Sequence, residues 1–503
     1  MSEKIAAVDP SVEDVATDAA PAPTPQPPAK KGFLDRFFHL SERKTNVRTE
    51  LIAGLTTFMA MAYILMVNPG MFSDLGTVSF GAVYIATALS AVVGTVLIGL
   101  LANLPLAQAS GMGLNAFFVY TACFGLGFSY ANALLFCLAD GVIFILLTVT
   151  GLRRVIFDAV PAAVKAAIPA GIGLFIAFLG LQNAGLVVND DATLVNLASF
   201  NLLGRATWAT VMPLLVTLLG VIAVAVMSKK NVKGSILWSI LGATGLYYLL
   251  GMTVDGFYTD FWVGKTLNPF TAFGEFGSQA VFKVFTEGFN FDKYLAVEGH
   301  NVGTLVVAFA TTALAFCMVD MFDTMGTLYG ACRGGNLLVK NAKGELEVPN
   351  MNRAMLADAV ATCTGAICGT STVTTFVESS AGVGVGGRTG LSSMFTAAMF
   401  LVALFLAPVA ALIPATAYAI ALIYVGILMM GCVKDIDWAD PSIALPAFLT
   451  IAMMPFTYNI SYGIAFGLIS YILIKVCTGK IKEVNVGTWI IGVLFAAMFF
   501  LTH

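Results

Sequence analysis

Long apolar runs constrain the fold of this chain more than any other feature of its sequence. They lie near 51–68, 82–103, 112–126, 131–150, 162–182, 207–227 and 234–251, and again near 302–330, 354–369, 371–387, 391–413, 416–433, 441–457 and 461–477. A helix needs about 20 mostly apolar residues to cross a bilayer. The pattern therefore predicts an all-α polytopic membrane protein with fourteen transmembrane segments in two sets of seven. A further apolar segment, 486–501, is left unplaced.

The composition excludes a soluble domain. Hydrophobic residues make up 58% of the chain and charged residues only 11%, whereas soluble domains carry about 25% charged residues. Residues 1–32 differ from the rest, because they are rich in proline and alanine, contain several acidic residues and have no apolar core typical of a signal peptide. We expect a disordered cytoplasmic tail there.

The positions of lysine and arginine orient the chain. With a cytoplasmic N-terminus and fourteen crossings, 21 of the 26 basic residues fall on the cytoplasmic side, four fall on the opposite side, and Lys4 lies in the distal tail. This distribution follows the positive-inside rule. Seven crossings in each half give the halves opposite orientations, which predicts an inverted repeat, a common plan in secondary carriers. The expected location is the plasma (inner) membrane.

Spans 3 and 10 are poor continuous helices. Span 3 begins with LPLAQASGMGLN, and span 10 with GTSTVTTFVESSAGVGVGGRTG, in which Thr370–Val377 is rich in β-branched residues. Such residues favour an extended backbone, and glycine destabilises a helix. Non-helical backbone at bilayer depth persists only where protein or a polar cavity satisfies it. Breaks at equivalent positions of the two repeats predict a substrate site at the bilayer midplane, although tight glycine-mediated helix packing is the alternative.

Ionisable residues inside the spans are a second indication of a site. Asp140, Asp320, Asp323, Asp358 and Glu378 fall inside or at the edge of apolar runs, and no lysine or arginine lies in the middle of any span. A charge in the bilayer costs at least about 2.5–3.5 kcal/mol. We therefore expect these carboxylates to be protonated, hydrogen-bonded to backbone amides, or bound to a substrate donor or cation.

Alternatives remain open for several polar residues. Asp358 lies near the start of its span and close to Arg353, which favours a cap or an interfacial pair. Asp140 could make a polar contact between helices or serve the transported substrate, and Asp323 could make a bond within its own segment. Asn115 could cap a helix or contact a ligand.

The remaining chemistry of the sequence does not favour an enzyme. The eight cysteines and three histidines have no metal-ligand spacing, and the chain has no nucleophile–base signature and no phosphate-binding loop. We expect no metal, no cofactor and no nucleic-acid partner. A membrane enzyme or a channel is the alternative to a carrier.

Four segments resemble a known family. They are FFHLSERKTNVRTELIAGLTTFMAMAYILMVNP (37–69), ASGMGLNAFFVY (109–120), DMFDTMGTLYG (320–330) and TSTVTTFVESSAGVGVGGRTGL (370–391). They are similar to the azaguanine-resistance (AzgA-like) guanine/hypoxanthine permeases, a group of nucleobase–cation symporters. The resemblance extends from about residue 33 to the C-terminus.

The resemblance implies a uracil-permease-like fold with short strands in the broken spans 3 and 10. It also implies a division of the chain into two domains. Residues 33–151 and 302–414 would form a core domain of spans 1–4 and 8–11, and residues 152–251 and 415–503 a gate domain of spans 5–7 and 12–14 with the C-terminal segment. Residues 252–301 would form an extracytoplasmic loop, and the gate domain would carry the contacts of a homodimer.

The resemblance further implies site residues and a function. Asp320 and Glu378 would be the substrate carboxylates, with Asn115, Phe376 and Val377 as further substrate-binding residues. Asp323 and Glu378 would couple transport to protons. The implied function is secondary active import of purine nucleobases (hypoxanthine, guanine and also adenine) by proton symport and elevator-type alternating access. The alternative is the same fold carrying xanthine, uracil or an inorganic anion.

Overall fold

The computed structural model describes residues 32–151, 159–204, 206–259, 267–334, 337–340 and 346–501. The predicted disordered tail lies outside the described residues except for Gly32, as do several of the lysines and arginines that orient the chain. The described part is dominated by long helices joined by short turns.

Fourteen segments of the structure lie where the fourteen apolar runs lie. In the described residues, nine helices are apolar and long enough to cross a membrane: Val47–Ser73, Phe80–Ala102, Tyr130–Thr150, Ala162–Asn183, Trp208–Lys229, Val302–Arg333, Gly390–Ala410, Ala415–Asp435 and Ile460–Cys477. Three more spans are the helices Ser235–Gly251, Met351–Cys368 and Pro441–Phe456. The other two are spans 3 and 10, which are interrupted. The predicted all-α polytopic fold is confirmed.

Spans 3 and 10 each contain a short strand followed by a helix. Span 3 has the strand Gln108–Ser110 before the helix Met112–Gly125, and span 10 has the strand Val373–Thr375 before the helix Ser379–Val385. The two strands pair antiparallel. This pairing satisfies backbone groups that a broken helix would otherwise leave unbonded within the bilayer. The predicted strands in these two spans are confirmed.

Span 1 contains a break that the sequence did not predict. One helix was expected over 51–68, but the structure has the helices Val47–Met61 and Ile64–Ser73 with a turn at Ala62 and Tyr63. The turn is tighter than an α-helix, because Leu65 N donates to the carbonyl oxygen three residues earlier, Ala62 O, at 3.1 Å. No glycine or proline lies at this turn, so the local sequence carries no breaking signal there.

The spans pack in two groups. Spans 1–4 and 8–11 contact mainly one another, and we call them the site group. Spans 5–7 and 12–14 likewise contact mainly one another, and we call them the companion group. Both spans with a strand belong to the site group.

The segments between spans contain more structure than the sequence indicated. The stretch 252–301 was predicted as a loop, but it includes the helices Pro269–Glu275, Lys283–Thr286 and Asp292–Leu295. An exposed hairpin of Val187–Asp190 and Leu194–Leu197 follows span 5. The short helix Phe33–Phe38 precedes span 1, and the strands Val339–Lys340 and Leu346–Glu347 follow span 8.

The unplaced apolar segment forms the helix Val486–Leu501. It packs against span 14 and also contacts span 8, so it touches both groups of spans. The ring of Phe499 lies 5.4 Å from the ring of Tyr462 and 5.1 Å from that of Phe466. At about 1.5 Å per residue the helix is shorter than the hydrocarbon core of a bilayer.

Candidate functional site

The strand pair in the interior of the site group organises the candidate site. Gln108 lies opposite Thr375, and Ala109 opposite Thr374. Gly111 approaches span 10 so closely that a Cβ atom at this position would lie 2.4 Å from Cγ2 of Thr374. The sequence left extended backbone and close glycine packing as alternative explanations of the broken spans 3 and 10. The structure shows both at the same place.

Glu378 follows the span 10 strand by three residues and begins the helix Ser379–Val385. Its side chain is partly exposed. Gly382 seats this short helix directly on span 1, because a Cβ atom at Gly382 would lie 2.1 Å from Oγ1 of Thr57 and 2.5 Å from the carbonyl oxygen of Ala53. Span 1 therefore sets the position of Glu378.

Tyr63 provides a direct hydrogen bond from span 1 to Glu378. Its hydroxyl donates to Oε1 of Glu378 at 2.5 Å, and its side chain is fully buried. The residue lies at the turn between the two helices of span 1, where its backbone keeps right-handed helical angles of φ −58° and ψ −24°. Sequence reasoning missed Tyr63, because a lone tyrosine in an apolar span looks like an ordinary packing residue.

The structure brings Asp323 together with Glu378. Both residues are partly exposed, and span 8, which carries Asp323, packs against the helix that Glu378 begins. Two carboxylates near each other resist simultaneous ionisation. This is an arrangement suited to binding and releasing a proton.

Asp320 lies deeper, one helical turn before Asp323. It is fully buried, and Oγ1 of Thr362 donates to its Oδ2 at 3.4 Å. Its Oδ1 has no hydrogen-bond partner among the described residues. The carboxylates that interact with Asp320 are those of Asp140, Asp358 and Asp323. The role of Asp320 as a substrate carboxylate stays a prediction.

Asp358 has a structural role that differs from the expected cap or interfacial pair. The span 9 helix begins at Met351, so Asp358 lies two turns inside it and is fully buried. Gln108 Nε2 donates to its Oδ1 at 2.8 Å, and Thr324 Oγ1 donates to its Oδ2 at 2.7 Å. Asp358 thereby connects span 9 to the strand of span 3 and to span 8.

Asp140 is fully buried in span 4. In the described part of the chain, no nitrogen or oxygen donor reaches either of its carboxylate oxygens, and the thiol of Cys317 is a neighbouring group. A buried, unpaired carboxylate is stable only in the neutral form. Both roles considered for Asp140 remain open.

Asn115 belongs to a buried polar network that joins the two strand-bearing spans. Its Oδ1 accepts a short hydrogen bond from Oγ of Ser371. Oγ of Ser110 lies 2.8 Å from Oγ1 of Thr370, which also accepts from Asn68 Nδ2 at 2.9 Å. Asn115 is fully buried, and its contact with substrate stays a prediction.

The remaining two predicted residues, in the turn of span 10, differ in exposure. Phe376 is only 6% exposed and its backbone N–H donates to Ala107 O at 3.0 Å. Val377 is 42% exposed. Val377 is therefore the more accessible of the two to a ligand beside Glu378, and stacking on Phe376 stays a prediction.

A separate polar cluster joins the two groups of spans. It lies near the span ends that the sequence predicts to face away from the cytoplasm. The hydroxyl of Tyr120 donates to Oδ2 of Asp74 at 2.7 Å, and Thr121 Oγ1 donates to the carbonyl oxygen of Tyr458 at 3.1 Å. Tyr458 also donates a short hydrogen bond to Oε1 of Gln182. Asp74 lies in the turn after span 1, where burial raises its pKa and the bond from Tyr120 partly offsets that rise.

Comparison with known proteins gives a consistent family. The chain matches the Permease family (Xan_ur_permease) over residues 48–466. It is 38% identical over 475 residues to the guanine/hypoxanthine permease PbuO of Bacillus subtilis, a match that covers 92% of this chain and 99% of that protein. It is 36% identical over 469 residues to the adenine permease AdeP of Escherichia coli, covering 92% of this chain and 95% of that protein.

Solved structures support the same fold. The transmembrane domain of the cyanobacterial bicarbonate transporter BicA aligns with a TM-score of 0.54 over 83% of this chain and 97% of that one. Sequence identity is 16%, so this similarity concerns the fold alone. The sequence matches and the fold together identify the chain as a member of the Permease family, a multi-pass membrane transporter and not an enzyme.

Proposed function

We propose that this chain imports purine nucleobases, hypoxanthine and guanine and also adenine, by symport with protons. The observation that carries the proposal is the partly exposed Glu378 beside the paired strands, with Asp323 on span 8, which packs against the helix that Glu378 begins. The names of PbuO and AdeP, relatives that match over most of the chain, support purines as the substrate class.

Purine chemistry fits a carboxylate. An ionised carboxylate accepts two roughly parallel hydrogen bonds; guanine can donate two, from N1 and its amino group, and hypoxanthine one, from N1. When Asp323 carries a proton and a neutral purine is bound, the site carries fewer charges than with both carboxylates ionised. A less charged site crosses a low-dielectric barrier at lower cost.

The packing of the spans suggests how the site would move. We infer that the site group is the core domain and the companion group the gate domain, and that the core slides against the gate in an elevator-type cycle. The paired strands and Glu378 would then travel together as one body, since both belong to the site group. We further propose a homodimer through the gate domain, in the plasma membrane with a cytoplasmic N-terminus.

An inorganic anion is the weaker alternative. The described lysines and arginines lie at helix ends or between helices, whereas the accessible ionisable groups at the site are Asp323 and Glu378. Two carboxylates disfavour an anion by charge repulsion. Xanthine and uracil remain as nucleobase alternatives, because each also carries ring N–H groups that can donate to a carboxylate.

A competition panel tests the substrate class. Uptake of labelled hypoxanthine would be measured with an excess of unlabelled purines, pyrimidines, sulfate or bicarbonate. Purines should compete strongly, and strong competition by sulfate or bicarbonate would contradict the proposal. Replacing external sodium with choline should leave uptake unchanged if protons drive it.

A further inference from the structure

The hydrogen bond from Tyr63 to Glu378 has a consequence for substrate choice. We propose that Tyr63 makes the carrier prefer 6-oxopurines to adenine, by keeping Glu378 a hydrogen-bond acceptor. This inference rests on the proposed function as a purine carrier and adds a specificity-determining residue to it.

The first step concerns the two forms of Glu378. An ionised carboxylate only accepts hydrogen bonds, whereas a protonated one also donates. The hydroxyl of Tyr63 donates to Oε1 at 2.5 Å, and a hydrogen bond to an ionised acceptor is about twice as strong as one between neutral groups. The bond therefore favours the accepting form of Glu378.

The second step concerns the proton shared with the neighbouring carboxylate. Span 8, which carries Asp323, packs against the helix that Glu378 begins, and ionisation of one of two nearby carboxylates disfavours ionisation of the other. The tyrosine donates to Glu378, which directs the remaining proton toward Asp323. Glu378 then meets the substrate as an acceptor while Asp323 carries the proton.

The third step concerns how firmly Tyr63 is held. The side chain is fully buried and lies at the turn between the two helices of span 1. A buried hydroxyl without a partner costs about 1–3 kcal/mol, so the hydroxyl does not leave Glu378 freely. Glu378 therefore stays a hydrogen-bond acceptor as long as the Tyr63 hydroxyl remains bonded to it.

The fourth step compares the substrates. Hypoxanthine and guanine carry a hydrogen on N1, and guanine has an amino group beside it, so both donate to an accepting carboxylate. Adenine has a bare N1 lone pair at that position, which would face a carboxylate oxygen without a hydrogen between them. A site built to hydrogen-bond one group rejects an analogue that lacks it far more strongly than an apolar pocket does.

The variant Tyr63→Phe tests the proposal. Initial uptake of labelled hypoxanthine and adenine would be measured in cells that lack their own purine uptake. We expect the ratio of kcat/KM for hypoxanthine to kcat/KM for adenine to fall at least tenfold. An unchanged ratio, with both substrates still transported, would overturn the proposal, and so would a wild-type protein whose kcat/KM for adenine equals that for hypoxanthine.

Tyr84→Phe is the matched control. Tyr84 is also buried in the site group, and its hydroxyl donates to Ala403 O at 2.8 Å, away from Glu378. This variant also loses a buried tyrosine hydroxyl and its hydrogen bond. It therefore shows what such a loss does to uptake when Glu378 is not involved. Its hypoxanthine-to-adenine ratio should equal that of the wild type, and a tenfold fall there would also count against a specific role for Tyr63.

A measurement on the wild-type protein covers the case in which Tyr63→Phe does not reach the membrane. 1-Methylhypoxanthine lacks the N1 hydrogen and should inhibit hypoxanthine uptake at least tenfold less well than unlabelled hypoxanthine does. Equal inhibition would overturn the proposal. Failure of the proposed function looks different, because the wild type would then take up no purine at all.

Discussion

The side-chain amide of Gln108 donates a 2.8 Å hydrogen bond to the carboxylate of Asp358, 250 residues further along the chain. Through this bond the strand of span 3 is attached to span 9. Thr375, in the opposite strand, donates to the same carboxylate oxygen at 3.2 Å. Asp358 therefore holds both strands in register from one side.

Gln108→Leu should destabilise the protein. It removes one donor from a fully buried carboxyl group, and leaving a buried polar group without a partner costs about 1–3 kcal/mol. Thermal unfolding in detergent should show a clear fall in Tm. Gln182→Leu, which loses a hydrogen bond between the partly exposed Gln182 and Tyr458, should cost less, and an equal or larger fall in Gln182→Leu would contradict the importance given to Asp358.

Gly382→Ala should impair both folding and uptake. The added methyl group would lie 2.1 Å from Oγ1 of Thr57 and 2.5 Å from the carbonyl oxygen of Ala53, so the helix that begins after Glu378 must move away from span 1. Overpacking of this kind costs about 1–3 kcal/mol.

Gly384→Ala is the control for this effect. Gly384 lies in the same short helix, but nothing lies within 4 Å of a Cβ atom there. It should keep the wild-type Tm and transport hypoxanthine normally. If the two variants have the same Tm and the same uptake, the close contact between spans 1 and 10 at Gly382 does not determine the position of Glu378.

Phe499→Ala should lower the Tm, whereas Phe500→Ala should not. Phe499 packs against Tyr462 and Phe466, and aromatic pairs contribute about 0.5–1.5 kcal/mol each. Phe500 is 86% exposed, and in a membrane lipid replaces its lost contacts at little cost. A Tm that falls equally in both variants would show that the C-terminal helix does not dock as the structure has it.

Much of the architecture could be predicted from the sequence, because the bilayer restricts the possibilities. A chain that crosses a membrane must satisfy its backbone within helices, so apolar runs alone located all fourteen spans. Extended backbone in span 10 was predictable, since Thr370–Val377 combines β-branched residues with flanking glycines, whereas the strand of span 3 was expected only from the family resemblance. Asp323 and Glu378 were identifiable because acids in apolar spans are rare.

The remainder depended on contacts between residues far apart in sequence. The turn at Tyr63 has no glycine or proline to announce it, and its partner Glu378 lies 315 residues away. The burial of Asp358 could not be inferred from its place near a span boundary, because Gln108 and Thr324 create its environment. The helices in 252–301 were missed because they are four to seven residues long.

The most direct test of the central claim is uptake of labelled hypoxanthine into proteoliposomes, driven by an imposed inward proton gradient. We compare the wild type with Glu378→Gln and with Glu298→Gln, the same change at an exposed loop residue. The wild type and Glu298→Gln should accumulate hypoxanthine above the external concentration, and a protonophore should abolish the accumulation. Glu378→Gln should reconstitute normally and accumulate none. Accumulation by Glu378→Gln at the wild-type level, or wild-type accumulation that ignores the proton gradient, would contradict the account.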